Sequence, residues 1–130
     1  MLTVYNPTTK ESFEEIVKPI TGGEENGLLY KRWTKKMSDM VDKLSGGKVG
    51  YVHVQAMNDN SYRNVYEEVL GKNMAKQALI VDTRFNGGGW VHEDLSNFLS
   101  GKQYLTYAPY GFTPSGGGEP QGKWWKPSCV

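Results

Sequence analysis

The chain has 130 residues, enough for one modest domain with its own core. Its 15 basic and 14 acidic residues are well mixed and leave a net charge of +1, so the basic stripe of a nucleic-acid reader is missing and no nucleic-acid partner is expected. No apolar run approaches the roughly 20 residues of a membrane helix, the single cysteine, Cys129, excludes an intrachain disulfide, and an apolar content of 38% fits a globular protein.

Residues 1–20 read as two short extended segments. Leu2–Tyr5 alternates, Asn6-Pro7-Thr8-Thr9 signals a turn, and Glu15–Ile20 alternates again until Pro19 weakens it. Gly22-Gly23 then reads as a break. Leu29, Trp33, Met37, Met40, Val41 and Leu44 fall at helical spacing opposite a lysine-rich face, and Ser45-Gly46-Gly47 ends that helix. Val49–Val54 is a β-rich run. Asn58 to Asn60 offer capping side chains, and Tyr62, Val65, Tyr66, Val69 and Leu70 mark an amphipathic helix that Gly71 stops.

Ala78–Asp82 is short and almost wholly apolar, the pattern of a central strand covered on both faces. Three glycines, Gly87, Gly88 and Gly89, follow closely. Val91, Leu95, Phe98 and Leu99 then mark another helix, with Glu93 and Asp94 near its positive end. Gln103–Tyr107 reads as a strand, 109–122 as a Pro/Gly-rich loop, and Lys126–Val130 as the beginning of one more strand. The alternation from residue 49 onward predicts an α/β layer with a largely parallel sheet. A final strand that ends on an apolar residue without cap or turn reads as a truncation.

The glycine loop is the chemical feature. A strand, three glycines and a helix start put bare backbone N–H groups where negative charge is favoured. Phosphate binding would ask for GxxxxGK[ST] or GxGxxG, and neither is present. The remaining chemistry is stabilisation of the oxyanion in acyl transfer, and the plain alternative is a tight turn that binds nothing.

The wider string Ala78-Leu79-Ile80-Val81-Asp82-Thr83-Arg84-Phe85-Asn86-Gly87-Gly88-Gly89 resembles the D-x-R-x-N-x-G-G signature of the tail-specific and tricorn serine peptidases. Gly46-Gly47-Lys48-Val49-Gly50-Tyr51-Val52-His53-Val54 resembles a strand of the tricorn-like branch. Glu24-Glu25-Asn26 and Tyr30-Lys31-Arg32-Trp33 are similar to that branch's linker helix. The resemblance implies a partial crotonase-like core with flanking helices, preceded by the β remnant of a PDZ domain. It divides the chain into 1–22 (PDZ remnant), 23–46 (linker helix) and 47–130 (first part of the peptidase core). It implies a protein or peptide substrate and no metal or cofactor. Gly88 is the first candidate for the oxyanion donor, with Gly87 and Gly89 beside it, and Asp82, Arg84 and Asn86 are assigned to holding the loop in shape. The family's nucleophilic serine lies beyond the strand that begins at Pro127, so the chain is expected to stop before it. The same resemblance suggests an exported bacterial protein whose signal is not in this sequence.

Other residues invite plainer readings. Ser128 sits at a strand start, where the family has no catalytic residue. His53 alternates with apolar neighbours and reads as a hydrogen-bonded core histidine. His92 reads as an exposed helix-start residue, and two histidines 39 positions apart make no zinc site. Cys129 reads as a small apolar strand residue, and Trp124 and Trp125 as tryptophans whose rings are buried in the full-length protein. Tyr104, Tyr107, Tyr110 and Phe112 could line a peptide cleft or anchor the loop. Two rivals to the peptidase reading stand: a module that holds a peptide without cleaving it, and an assembly element whose open sheet edge makes the chain self-associate.

Overall fold

The computed structural model describes residues 1–102, 104–107, 110, 118–120 and 122–130. These fall into two compact units, 1–33 and 34–130.

The first unit opens with an antiparallel hairpin, β1 (Leu2–Asn6) and β2 (Glu11–Glu15), in which Val4 lies opposite Phe13. The second strand therefore returns earlier than the alternation of 15–20 suggests. The turn explains it. Asn6 Oδ1 accepts the N–H groups of Thr8 and Thr9 at 2.9 and 3.4 Å, and Lys10 sits in the left-handed region at φ 60°. The helix α1 (Gly22–Ser45) likewise begins at Gly22, not after it. Thr21 Oγ1 accepts the Glu24 N–H at 3.3 Å while Glu24 Oε2 accepts the Thr21 N–H at 2.8 Å. That reciprocal cap satisfies two donors and outweighs the two glycines behind it.

The second unit is built on a parallel sheet. Its strands β3 (Val49–His53), β4 (Ala78–Asp82) and β7 (Ser128–Cys129) lie in the order β3-β4-β7. Tyr51 is level with Ile80, His53 with Asp82, and Leu79 with Ser128. The helices α2 (Asp59–Leu70) and α3 (His92–Leu99) supply the crossovers. Asn58 caps α2 by accepting the Ser61 N–H at 2.9 Å. This is the α/β layer expected from the sequence.

The core lies on one face of that sheet. Val52, Val54, Leu79 and Val81 pack with Val65 and Val69 of α2, Leu95 and Phe98 of α3, and Trp124. Phe98 stacks at 5.1 Å from Tyr66 and meets Tyr62 edge-on. The opposite face is only partly covered. Ile80 is 38% exposed at the bottom of an open apolar groove of about 360 Å³, lined also by Met37, Met40 and Val41 of α1 and by Val130. β4 is thus central without being covered on both faces. One further expectation changes. The strand near 105 is β5 (Leu105–Thr106), which pairs antiparallel with β6 (Gly118–Glu119) outside the main sheet; Gln103 and most of the 109–122 loop, Phe112 included, lie outside the described residues. Within these residues Trp124 is buried and Trp125 is exposed.

Polar groups tie the edges of the layer. Lys126 Nζ donates to the carbonyls of Met74 and Lys76 at 2.5 and 2.6 Å and lies 5.3 Å from the Trp124 ring. Asn73 is buried and donates to the carbonyls of Tyr51 and Glu68, and its amide occupies the space beside Gly50 that a Cβ would need. We expect Phe98→Ala to lower unfolding free energy by about 3–5 kcal/mol, and Met40→Ala, on the open face, by under about 1 kcal/mol. Urea unfolding followed by tryptophan fluorescence checks the ordering.

A candidate oxyanion loop at the strand ends

Both parallel strands end beside one loop. β4 finishes on Asp82, a residue only 8% exposed. A buried carboxylate needs donors. It receives the Tyr51 hydroxyl from the neighbouring strand at 2.7 Å, the Arg84 N–H at 3.0 Å, and the Arg84 guanidinium at 2.5–3.0 Å. The guanidinium holds the Asp82 carboxyl well below the usual carboxylate range. Burial, and then the hydrogen bond to Asp82, push the Tyr51 phenol far up, and Asp82 raises Arg84 further. All three therefore keep their ordinary charge states around neutral pH. Their role is to fix the turn, since none is poised to exchange a proton there.

The turn continues through Phe85, which stands at φ 65° although it is not a glycine. His53 Nε2 lies 2.8 Å from the Arg84 carbonyl. A carbonyl only accepts, so Nε2 carries the hydrogen. His53 is thus a structural tether, as its place in the strand suggested.

Asn86 then spans the two strand ends. Its Nδ2 donates to the Val54 carbonyl at 2.8 Å and its Oδ1 accepts the Gly88 N–H at 2.7 Å. Met57, just beyond β3, bridges the same loop. Its N–H donates to the Gly88 carbonyl at 3.3 Å and its carbonyl accepts the Trp90 N–H at 3.1 Å. Gly89 lies at φ 141°, and a Cβ there would overlap the Met57 carbonyl, so only glycine fits. Gly88 also has positive φ, whereas Gly87 has open space around it.

Of the three candidate donors, Gly88 is thus already paired with Asn86. Among the described residues, no acceptor engages the N–H of Gly87 or Gly89. All three glycines are exposed, and α3 starts three residues later. His92 is exposed at that start, and Cys129 is exposed in β7. Among the described residues, no cluster of three metal-ligating side chains occurs, and no helix is long and apolar enough to cross a membrane. Tyr51 and Met57 were missed by the sequence reading, since neither carries a local signal of its long-range partner.

The described residues thus form a parallel α/β layer with a glycine loop pinned at its strand ends. Comparison with known proteins narrows this. Residues 48–111 match the sequence model of peptidase family S41. The chain is 31% identical over 119 residues to tricorn protease homolog 1 of Streptomyces coelicolor, covering 83% of this chain and 11% of that protein. It is 30% identical over 93 residues to the tricorn protease homolog of Saccharolobus solfataricus, covering 72% of this chain and 8% of that protein. The crystal structure of the tricorn protease superposes with a TM-score of 0.61 at 28% identity, over 76% of this chain and 9% of that one. The resemblance read from the sequence is borne out: residues 48–111 match the peptidase family S41 model, and the likeness is to the tricorn branch of serine peptidases. The chain spans about a tenth or less of the length of these relatives.

The Asp82 network makes a pH prediction. Its folded-state pKa is depressed below the unfolded value near 3.9. Its contribution is present above that value and is lost as pH falls below about 4. Asp82→Asn should cost about 1.5–3 kcal/mol at pH 7 and flatten the stability profile on the acid side, as read by urea unfolding at pH 7, 4 and 3.

Proposed function

We propose that residues 1–130 form part of a serine peptidase and supply oxyanion-stabilising N–H groups from the 87–89 loop. The supporting observation is the loop itself. Two strand ends, Asn86 and Met57 fix its path, while among the described residues no acceptor engages the Gly87 and Gly89 N–H groups. Preorganised donors of this kind gain most when a carbonyl oxygen acquires charge. Gly87 and Gly89 lead as donors, and Gly88 would serve once the carbonyl oxygen displaces Asn86 Oδ1. The substrate is a protein or peptide, by the likeness to the tricorn proteases. The attacking serine comes from outside these residues. Within this reading 1–22 is the end of a PDZ-like domain, 23–46 a linker helix and 47–130 the first part of the peptidase core. The hairpin β1–β2 and the helix α1 are compatible with those roles.

The chain alone should neither cleave an unstructured protein nor take up a fluorophosphonate label. Cleavage with labelling of Ser128 would overturn the assignment. In an intact tricorn-like enzyme carrying this segment, Gly87→Pro removes one donor and should lower kcat about 10²–10³-fold. Gly87→Ala keeps the N–H in open space and should not. Equal kcat for the two variants would remove Gly87 from the donor set.

The second reading, an assembly element, draws support from the open sheet face around Ile80 and the exposed Met40 and Val130. It predicts that the isolated chain self-associates, with a mass by light scattering that rises with concentration. A constant monomer mass across the series counts against it.

A further inference from the structure

The sequence contains two Asn-Gly pairs, Asn26-Gly27 and Asn86-Gly87. Such a pair is chemically labile, because the glycine nitrogen can attack the side-chain amide carbon of the asparagine before it and no Cβ obstructs the approach. The surrounding backbone decides whether the attack takes place, and the two pairs differ in that respect.

Asn26 and Gly27 are both exposed, so exposure alone would favour reaction there. They lie inside α1, with Gly27 past the leading residues whose N–H groups lack an intrahelical acceptor. The Gly27 N–H therefore belongs to the helix ladder, and its nitrogen can attack only when that turn opens. Gly87 is also exposed, with open space around it, and among the described residues no acceptor engages its N–H. Its nitrogen is free to lose a proton to solvent.

Asn86 presents the other reactant. Its Oδ1 accepts the Gly88 N–H at 2.7 Å, and its Nδ2 donates to the Val54 carbonyl at 2.8 Å. Attack at Cγ builds negative charge on Oδ1, where the Gly88 N–H already stands to receive it. The clasp that shapes the loop thus polarises an amide beside an unengaged nitrogen.

We propose that Asn86 is a site of spontaneous self-modification, converting to aspartyl and isoaspartyl forms in the folded chain. The Gly87 nitrogen bonds to Cγ, the Cγ–Nδ2 bond breaks, and Nδ2 leaves as ammonia with the proton given up by Gly87. Water then opens the cyclic imide at either of its carbonyls, and no oxidant or cofactor takes part. The product has no Nδ2–H for the Val54 carbonyl, so the bond from the loop to the end of β3 is lost. It also sets a carboxylate beside the glycine N–H groups. On the peptidase reading above, that charge competes with the developing oxyanion and switches the loop off.

The test holds the chain in mildly alkaline buffer, folded and in guanidinium chloride, and follows residues 26 and 86 over time by peptide mapping with mass spectrometry. In denaturant, where local sequence alone acts, the two pairs should convert at similar rates. On folding, Asn26 should slow by about tenfold or more, the cost of opening a helical turn. Asn86 should convert at least as fast as it does in denaturant. Gly87→Ala fits the open space and crowds the attacking nitrogen, so it should slow Asn86 by about tenfold and leave Asn26 unchanged. A folded-state rate at Asn86 well below its rate in denaturant would mean that the two side-chain hydrogen bonds protect the amide, and the proposal falls. It falls equally if Asn26 keeps pace with Asn86 in the folded chain, or if Gly87→Ala converts as fast as the parent chain. None of these readouts depends on peptidase activity, so the outcome is separate from the reading of the 87–89 loop as an oxyanion donor.

Discussion

Asp82 ends the central strand with a carboxylate removed from water, and its need for donors organises the second unit. One donor, the Tyr51 hydroxyl, comes from the adjacent strand, so it is available only if β3 and β4 keep the register that sets Tyr51 beside Ile80 and His53 beside Asp82. A slip of one residue would send Tyr51 to the opposite face. The other donors come from Arg84, two residues on, and they bend the chain out of the strand at once. A single buried acid thus fixes both the pairing of the strands and the direction in which the loop departs. His53, level with Asp82, holds the Arg84 carbonyl from the side of β3.

The loop inherits that rigidity. Asn86 reaches back to Val54 and forward to Gly88, and Met57 clasps the segment from 88 to 90. Both clasps come from residues just past β3, so the loop is anchored to the ends of two strands. Ligands in parallel α/β folds collect at such carboxyl ends. The arrangement costs one donor in the resting state, because Gly88 gives its N–H to Asn86. Among the described residues it leaves the neighbouring Gly87 and Gly89 N–H groups without an acceptor, on a main-chain path that the two clasps hold.

Much of this was legible wherever the signal is local. The strands at 49–53 and 78–82 and the helices ending at Leu70 and Leu99 follow from apolar period, and the Asn58 cap from residue type. The helix expected over 23–46 lies at Gly22–Ser45, its start set by the Thr21–Glu24 cap. β2 was misplaced because Glu11–Glu15 carries a single apolar residue, Phe13, so turn chemistry and not alternation sets it. The glycine loop and its Asp82, Arg84 and Asn86 were recognisable as a string. Their partners were not: Tyr51 lies 31 residues from Asp82 and Val54 lies 32 from Asn86, and no local pattern announces such a bond.

A loop defined by its main-chain path fits a structure that stays close to the tricorn protease at 28% identity. Such a loop demands a path for the main chain and a glycine wherever another backbone crowds it, as Met57 crowds Gly89. It makes few demands on side chains elsewhere. The second unit reflects this. One face of the sheet is packed by α2, α3 and Trp124 and holds the strands in place, whereas the other retains an open groove over Ile80. A well-packed single face, together with the Asp82 register lock, is enough to position a few backbone donors. The exposed residues at the rim, Trp90 foremost, can then vary without disturbing the loop that they border.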